Sequence, residues 1–249
     1  MPGSLEGKIA LVTGGATGIG FGIAQAFIEA GARVVIAGRR GNELDAAADT
    51  LGANAKAVRA DVSKLPELDA LMAEVKGAYG RLDVLVANAG GGDLAPLGQI
   101  TEEQFTRTFD VNVKGVVFTV QKALPLFSGG GSIILIASTT SKKGTASFSV
   151  YSATKAAVRN LARSWILDLK GRNIRVNVLS PGPVRTPGLV GLVPAEQQEA
   201  FLKQFASEIP LGRVGEPREI GSAALFLASE ASSFVNGAEL FVDGGIAQV

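Results

Sequence analysis

Cysteine and histidine are both missing from this chain of 249 residues. Their absence removes disulfides, thiolate nucleophiles, the usual zinc ligand sets and any imidazole that could move protons near neutrality. Other groups must then carry whatever proton chemistry exists, and tyrosine is scarce too: only Tyr79 and Tyr151 occur. Tyr79 lies in a polar, helix-ending context, Lys76-Gly77-Ala78-Tyr79-Gly80-Arg81. An excess of charge of one sign is also lacking, since acids and bases are interspersed and the formal net charge is +1. No basic field exists to hold nucleic acid or an anionic membrane surface. No apolar run approaches the roughly 18 residues of a membrane span, and the N-terminus shows no charged-then-apolar signal pattern. These absences predict a soluble, cytoplasmic protein with neither nucleic-acid nor membrane partners, and nothing in the sequence asks for a metal.

What is present is apolar and periodic. Hydrophobic residues make up 47% of the chain, enough for a substantial core, and the length fits one large α/β domain over 1–249. Short β-branched apolar runs predict strands at Lys8 to Thr13, Arg33 to Ala37, Ala55 to Ala60, Leu82 to Ala87, Ser132 to Ala137, Asn173 to Ser180 and Glu239 to Val242. Helical spacing predicts helices at Gly18 to Ala30, Leu65 to Tyr79, Thr101 to Phe127, Ser149 to Gly171 and Glu216 to Ala228. The alternation implies a Rossmann-type, doubly wound parallel sheet of about seven strands with helices on both faces. From Pro187 to Pro210 the sequence is apolar but irregular, with Pro and Gly at its start, and reads as a substrate lid.

The polar motifs cluster at predicted strand ends. Thr13-Gly14-Gly15-Ala16-Thr17-Gly18-Ile19-Gly20 joins the first strand to the first helix. Its glycines permit a tight turn and let a diphosphate approach the backbone at a helix N-terminus, although glycines alone would also mark a sharp turn. The second strand ends at Gly38-Arg39-Arg40, where dinucleotide folds place a ribose-binding acid about 20 residues after the glycines. Glycine followed by two arginines favours NADP(H), because a guanidinium bonds a 2′-phosphate that an acid would repel. Asp61-Val62 and Asn88-Ala89-Gly90 end the third and fourth strands, and Asn112 interrupts the apolar helix Thr101 to Phe127. Asp61 also suits a plain turn, and Asn112 a core amide bonded to backbone. Ser138 ends the fifth strand, thirteen residues before Tyr151. Tyr151 and Lys155 share one helix face, where an ammonium would favour the phenolate and lower the tyrosine's pKa toward neutrality.

Taken together, TGGATGIG, Asp61-Val62, Asn88-Ala89-Gly90, Asn112 in VNVKG, Ser138, YSATK and PGPVRT resemble the short-chain dehydrogenase/reductase family over almost the whole chain. The resemblance implies that Tyr151 passes a proton to a carbonyl oxygen, that Ser138 holds the same oxygen, and that Lys155 tunes Tyr151 and binds the nicotinamide ribose. Asn112 would hold a water linking the lysine to solvent. For the cofactor it implies the diphosphate over Gly14, Thr17, Gly18 and Gly20 with Ile19 beneath, and Asp61 and Val62 flanking the adenine. Asn88 and Gly90 would lie along the cofactor, and Pro181, Gly182, Val184 and Thr186 at the nicotinamide, the last two gripping its carboxamide. Two departures stand out: Ala87 replaces a first Asn, and Thr17 stands where some NADP-dependent members carry a base. Phosphate recognition then falls to Arg39, with Arg40 as second candidate.

The expected pocket wall, Gly91 to Leu94, Thr140, Phe148, Pro183 and Leu189 to Val193, is mostly apolar. A neutral ketone or keto ester suits it, which predicts an NADPH-dependent carbonyl reductase making secondary alcohols reversibly. Alternatives are a polyol or sugar dehydrogenase, a β-ketoacyl-carrier-protein reductase docking through Lys142 and Lys143, and a dinucleotide-binding sensor without turnover. Family members commonly form homotetramers through the Thr101 to Phe127 and Ser149 to Gly171 helices. Ala153, Ala157, Leu161 and Trp165 on the second helix fit either that interface or the core.

Overall fold

The computed structural model describes residues 3–249. Seven strands form one parallel sheet in the order β3-β2-β1-β4-β5-β6-β7. They are β1 (Ile9–Thr13), β2 (Arg33–Gly38), β3 (Ala55–Arg59), β4 (Val84–Ala87), β5 (Gly131–Ile136), β6 (Ile174–Pro181) and β7 (Glu239–Val242). Helices α1 (Gly18–Glu29), α2 (Gly41–Leu51) and α9 (Pro217–Ala228) cover one face. Helices α3 (Leu65–Tyr79), α5 (Gly115–Ala123) and α6 (Ser149–Asp168) cover the other. The doubly wound fold expected from the alternating pattern is the observed one.

Side chains alternate across β1 as the pleat requires: Ile9 and Leu11 enter the α3/α5/α6 layer, Ala10 and Val12 the α1/α2/α9 layer. Strand order reverses between β1 and β4, so the connections leave the sheet in opposite directions there and open a crevice at the strands' C-terminal ends. Helices α1 and α9 pack closely because Gly22 and Gly221 lack side chains: a Cβ on Gly22 would lie 2.6 Å from the Pro217 carbonyl, and one on Gly221 2.4 Å from that of Gly22.

Several boundaries differ from the sequence expectation. The fourth strand begins at Val84, because the Leu82 N–H bonds the Leu126 carbonyl outside the ladder. Helix α2 was not anticipated; only Leu44 and Ala47 of its eleven residues are buried, so its apolar period is faint. The single helix expected over Thr101 to Phe127 is three pieces: α4 (Glu102–Phe109), a π-helical turn over Asp110–Lys114 containing Asn112, and α5, before a short 3₁₀ turn. Leu161 and Trp165 of α6 pack against the core, whereas Leu167 and Phe105 stay 74% and 46% exposed. The segment from Pro187 to Pro210 contains α7 (Pro187–Val190) and α8 (Gln198–Glu208). Among the described residues, no helix is long and apolar enough to cross a membrane.

Candidate active site

The polar motifs converge at the C-terminal edge of β1, β4, β5 and β6. Gly14 takes a left-handed conformation (φ +66°), and its N–H bonds the Ala37 carbonyl as the chain turns out of β1. A Cβ on Gly20 would lie 2.1 Å from the Gly14 carbonyl, so the turn tolerates no side chain there. Thr17 sits extended at the start of α1, and neither a side-chain cap nor a first-turn acid occupies that end. The free N–H groups and dipole there fit a phosphate. Asn88 braces the loop from below, its Nδ2 donating to the Thr13 and Gly14 carbonyls at 2.9 and 3.1 Å. The Thr13 hydroxyl accepts from the Asn88 and Ala89 N–H groups at 3.1 Å each.

At the ends of β2 and β3, Arg39, Asp61 and Ser63 line a cleft of about 620 Å³ whose other wall, from α4 and the π-helical turn, carries Arg107 and the acids Glu102, Glu103 and Asp110. Asp61 serves the turn as well as the cleft, its carboxylate accepting from the Ser63 N–H and hydroxyl at 3.0 and 2.7 Å. Burial pushes its pKa up, but the Ser63 bonds and the Arg39 and Lys64 charges outweigh that and hold it below the usual range. Val62 is buried beneath Gly115, whose missing Cβ would lie 2.8 Å from it. The two arginines part company: Arg40 pairs with Glu43 at 2.8 Å, while Arg39 faces the cleft. Sequence reasoning missed Arg59, whose Nε donates to the Arg39 carbonyl at 3.1 Å. Its signal was its place at the end of β3, in register with Gly38.

Tyr151, Lys155, Ser138 and Asn112 form one cluster. Ser138 follows β5 and lies near enough to Tyr151 to favour its phenolate, while its Oγ accepts from the Thr140 N–H at 3.2 Å and hydroxyl at 3.1 Å. The Tyr151 ring is wedged between the Phe148 ring (centroids 4.4 Å apart) and Gly92, where a Cβ would lie 2.8 Å from it. Lys155 is 3% exposed and donates to the Ile136 carbonyl at 2.8 Å, its Nζ 5.5 Å from the Tyr151 ring centre. Asn112 is fully buried: its Oδ1 accepts from the Gly91 N–H at 3.0 Å, and its Nδ2 donates to the Gly91 carbonyl and Thr154 hydroxyl at 2.8 and 2.9 Å. Gly90 sits against both, its missing Cβ 3.1 Å from Asn112 Oδ1 and 3.2 Å from Lys155 Nζ.

One expectation is corrected here. Tyr151 is not drawn toward neutrality in the protein alone: burial pushes it up to about 12, with the Ser138 hydrogen bond opposing weakly. Burial pulls Lys155 down to about 8. Spacing put the ammonium on the right face, but the low dielectric penalises both charged forms and outweighs their mutual effect. The Asn112 side chain, for its part, spends both amide donors on Gly91 and Thr154 and accepts from Gly91.

The remaining motif residues flank this cluster. Pro181 ends β6, and Gly182 packs on Asp243, with 2.7 Å from its missing Cβ to the Asp243 Cα. Val184 is buried and bridges Gly215. The Thr186 hydroxyl accepts from the Leu189 N–H at 3.1 Å, and its methyl would meet a Cβ on Gly18 at 3.1 Å. The pocket walls are tied together, since the Ala95 N–H bonds the carbonyl of Ser147, itself left-handed (φ +60°). Lys142 is engaged with the Phe241 ring at 5.3 Å. Among the described residues, no group of acids could hold a metal.

Known proteins resemble this chain over nearly its whole length. A family model described as enoyl-(acyl carrier protein) reductase matches residues 14–247. The chain is 50% identical over 247 residues to oxidoreductase asL5 of Sarocladium schorii, covering 98% of each. It is 38% identical over 254 residues to galactitol 2-dehydrogenase of Agrobacterium fabrum, covering 97% of this chain and 98% of that one. The crystal structure of a short-chain type dehydrogenase/reductase from Mycobacterium marinum matches with a TM-score of 0.91 at 36% identity, covering 97% of this chain and 96% of that chain. With likeness in sequence and fold running the full length, the chain belongs to the short-chain dehydrogenase/reductase family.

Proposed function

We propose that this oxidoreductase reduces a ketone or keto ester to a secondary alcohol, reversibly, with NADPH as the preferred reductant. The family uses a nicotinamide dinucleotide. The cradle fits one: glycines at Gly14, Gly18 and Gly20, an uncapped α1 N-terminus, and Arg39 at the end of the neighbouring strand β2. When bound, that group supplies the hydride. The observation that carries the reading is the grouping of Ser138, Tyr151 and a buried Lys155 at one strand edge, the Lys155 Nζ 5.5 Å from the Tyr151 ring centre, where this cradle opens.

In this reading Tyr151 gives its proton to the carbonyl oxygen while Ser138 donates a hydrogen bond to the same oxygen. Both donors are in place before negative charge develops, so little reorganisation is required. A phenol held near 12 is protonated at neutral pH, as reduction requires. Lys155, faced by the Ile136 carbonyl, holds its ammonium close to that oxygen's side of the site. Asn112 fixes Gly91 against Thr154 and so positions the helix bearing Tyr151. NADPH over NADH is supported by Gly38 and by Arg39 facing the cleft, with Arg59 steadying its backbone. The apolar residues of the Pro187 to Pro210 lid, with Phe148 and Leu94, suit a neutral substrate, and exposed Phe105 and Leu167 suit a homotetramer.

The test follows NADPH and, separately, NADH consumption over a panel of ketones, keto esters and sugars, with Tyr151→Phe as control. Faster oxidation of NADPH that vanishes in the control is the expected result. Equal rates with NADH would overturn the cofactor preference, and full activity in Tyr151→Phe the assigned proton donor. The likeness to a galactitol dehydrogenase favours one second reading, polyol oxidation, for which sugars and polyols in the panel would be turned over faster than apolar ketones.

A further inference from the structure

A carboxylate outside the motif set ties three parts of the site together. Glu239 lies on the edge strand β7, and its side chain is 9% exposed. Its Oε1 accepts from the Ser180 hydroxyl at 2.8 Å and the Ser141 hydroxyl at 3.2 Å, and its Oε2 pairs with the Arg159 Nε. Each partner belongs to a segment bearing a site residue. Ser141 closes the 3₁₀ turn that Ser138 opens, with its N–H bonded to the Ser138 carbonyl. Ser180, fully buried, directly precedes the Pro181-Gly182-Pro183-Val184 segment. Arg159 continues the row Tyr151, Lys155, Arg159, spaced by four residues on one face of α6. The same turn has a second attachment to β7, because Lys142 rests on Phe241, two residues beyond Glu239 and on the same side of the strand.

Burying an ion pair contributes little to stability on balance, so its value here is geometric. The geometry points to Glu239, with Arg159, as a positioning residue that fixes the Ser138 turn relative to the Tyr151 helix. Through it the turn, by Ser141, and the helix, by Arg159, are held to one carboxylate on β7. Glu239 touches no reacting atom in this arrangement; it acts through Ser141 and Arg159. The inference rests on the reading of Ser138 and Tyr151 given above for its kinetic consequence, but not for its structural one.

Glu239→Leu removes all three contacts. Glu239→Gln keeps an oxygen for the two serines and loses the ion pair, and Ser141→Ala removes the turn's bond alone and keeps the fold safe. Amide hydrogen exchange should quicken at least roughly tenfold over the Ser138 to Lys143 turn in Glu239→Leu and Ser141→Ala, while the Gly14 to Gly20 loop exchanges as in the parent. Turnover per NADPH-binding site, counted by fluorescence titration, should fall about 30-fold in Glu239→Leu and about threefold in Glu239→Gln, with the carbonyl KM moving less than about threefold. Unchanged exchange in the turn overturns the inference whatever the substrate proves to be. Unchanged turnover per site in a folded Glu239→Leu also overturns it. If Tyr151→Phe keeps full turnover, the reading of the reacting groups fails instead, and the exchange result decides Glu239 alone.

Discussion

Replacing Lys155 by methionine should stabilise the protein slightly near neutral pH while removing turnover. The ammonium is buried with one hydrogen bond, to the Ile136 carbonyl, and no carboxylate pairs with it among the described residues. Its pKa in the fold is about 8 against 10.5 in water. The unfolded chain thus holds the proton more tightly, and the folded state loses stability as the pH falls from about 10.5 toward 8, with the full penalty below that. At about 1.4 kcal/mol per tenfold, the penalty near pH 7 is on the order of 3 kcal/mol. Methionine fills similar space without charge but strands the Ile136 carbonyl, which costs about 1–3 kcal/mol. The net gain is roughly 1 kcal/mol near pH 7, turning to a loss of similar size above about pH 10, where the parent amine is neutral and still bonded. Urea unfolding of both proteins without added nucleotide, near pH 7 and near pH 10, measures the difference directly. A stability difference independent of pH would refute the argument.

Gly38→Asp is sterically open, since its Cβ would meet only Leu44 at 3.7–3.8 Å. A carboxylate about 5 Å from a phosphate repels it by roughly 3 kcal/mol at an effective dielectric near 20, so NADPH affinity should fall on the order of 100-fold relative to NADH; an unchanged affinity ratio in fluorescence titrations would count against the Arg39 cleft as the phosphate site. Gly92→Ala drives a methyl into the Tyr151 ring, and kcat should drop at least about tenfold with NADPH binding within about twofold, which steady-state kinetics and titration together resolve. Phe148→Ala removes a stacked ring worth about 0.5–1.5 kcal/mol, and kcat/KM should fall about tenfold more for bulky apolar ketones than for the smallest ones.

The sheet was legible because its strands are buried on both faces and read as continuous apolar runs, with glycine turns marking each C-terminal end. Ser138, Tyr151 and Lys155 were legible as residues, since their spacing and strand-end placement are local properties. Depth was not: whether Lys155 faces Ile136 or the phenol depends on β5, nineteen residues earlier in the chain, and so the direction of the Tyr151 shift was misjudged. Asn112 stood out as a polar residue in an apolar helix, but the π-helical turn that aims it at Gly91 follows from packing against the β4 loop. Glu239 and Arg59 gave no signal beyond being charged residues on or beside edge strands, because their partners come from distant segments.

The glycines at the sheet edge are keyed to the polar side chains as much as to any ligand. Gly14 and Gly20 leave the space that Asn88 Nδ2 occupies, Gly90 that of Asn112 Oδ1 and Lys155 Nζ, and Gly92 that of the Tyr151 ring. Each pairing joins one loop of the strand edge to one group that binds or reacts. A side chain on a site glycine would therefore displace a particular neighbour before it touched substrate. That explains why so many small residues gather where the polar ones do: backbone must come within hydrogen-bonding distance of the buried Asn112 amide and Lys155 ammonium, which cannot reach water for compensation, and must leave room for the Tyr151 ring. The tight backbone and the buried titratable groups are thus one construction, and burial deep enough to hold Tyr151 protonated and weaken the hold of Lys155 on its proton is its direct electrostatic consequence.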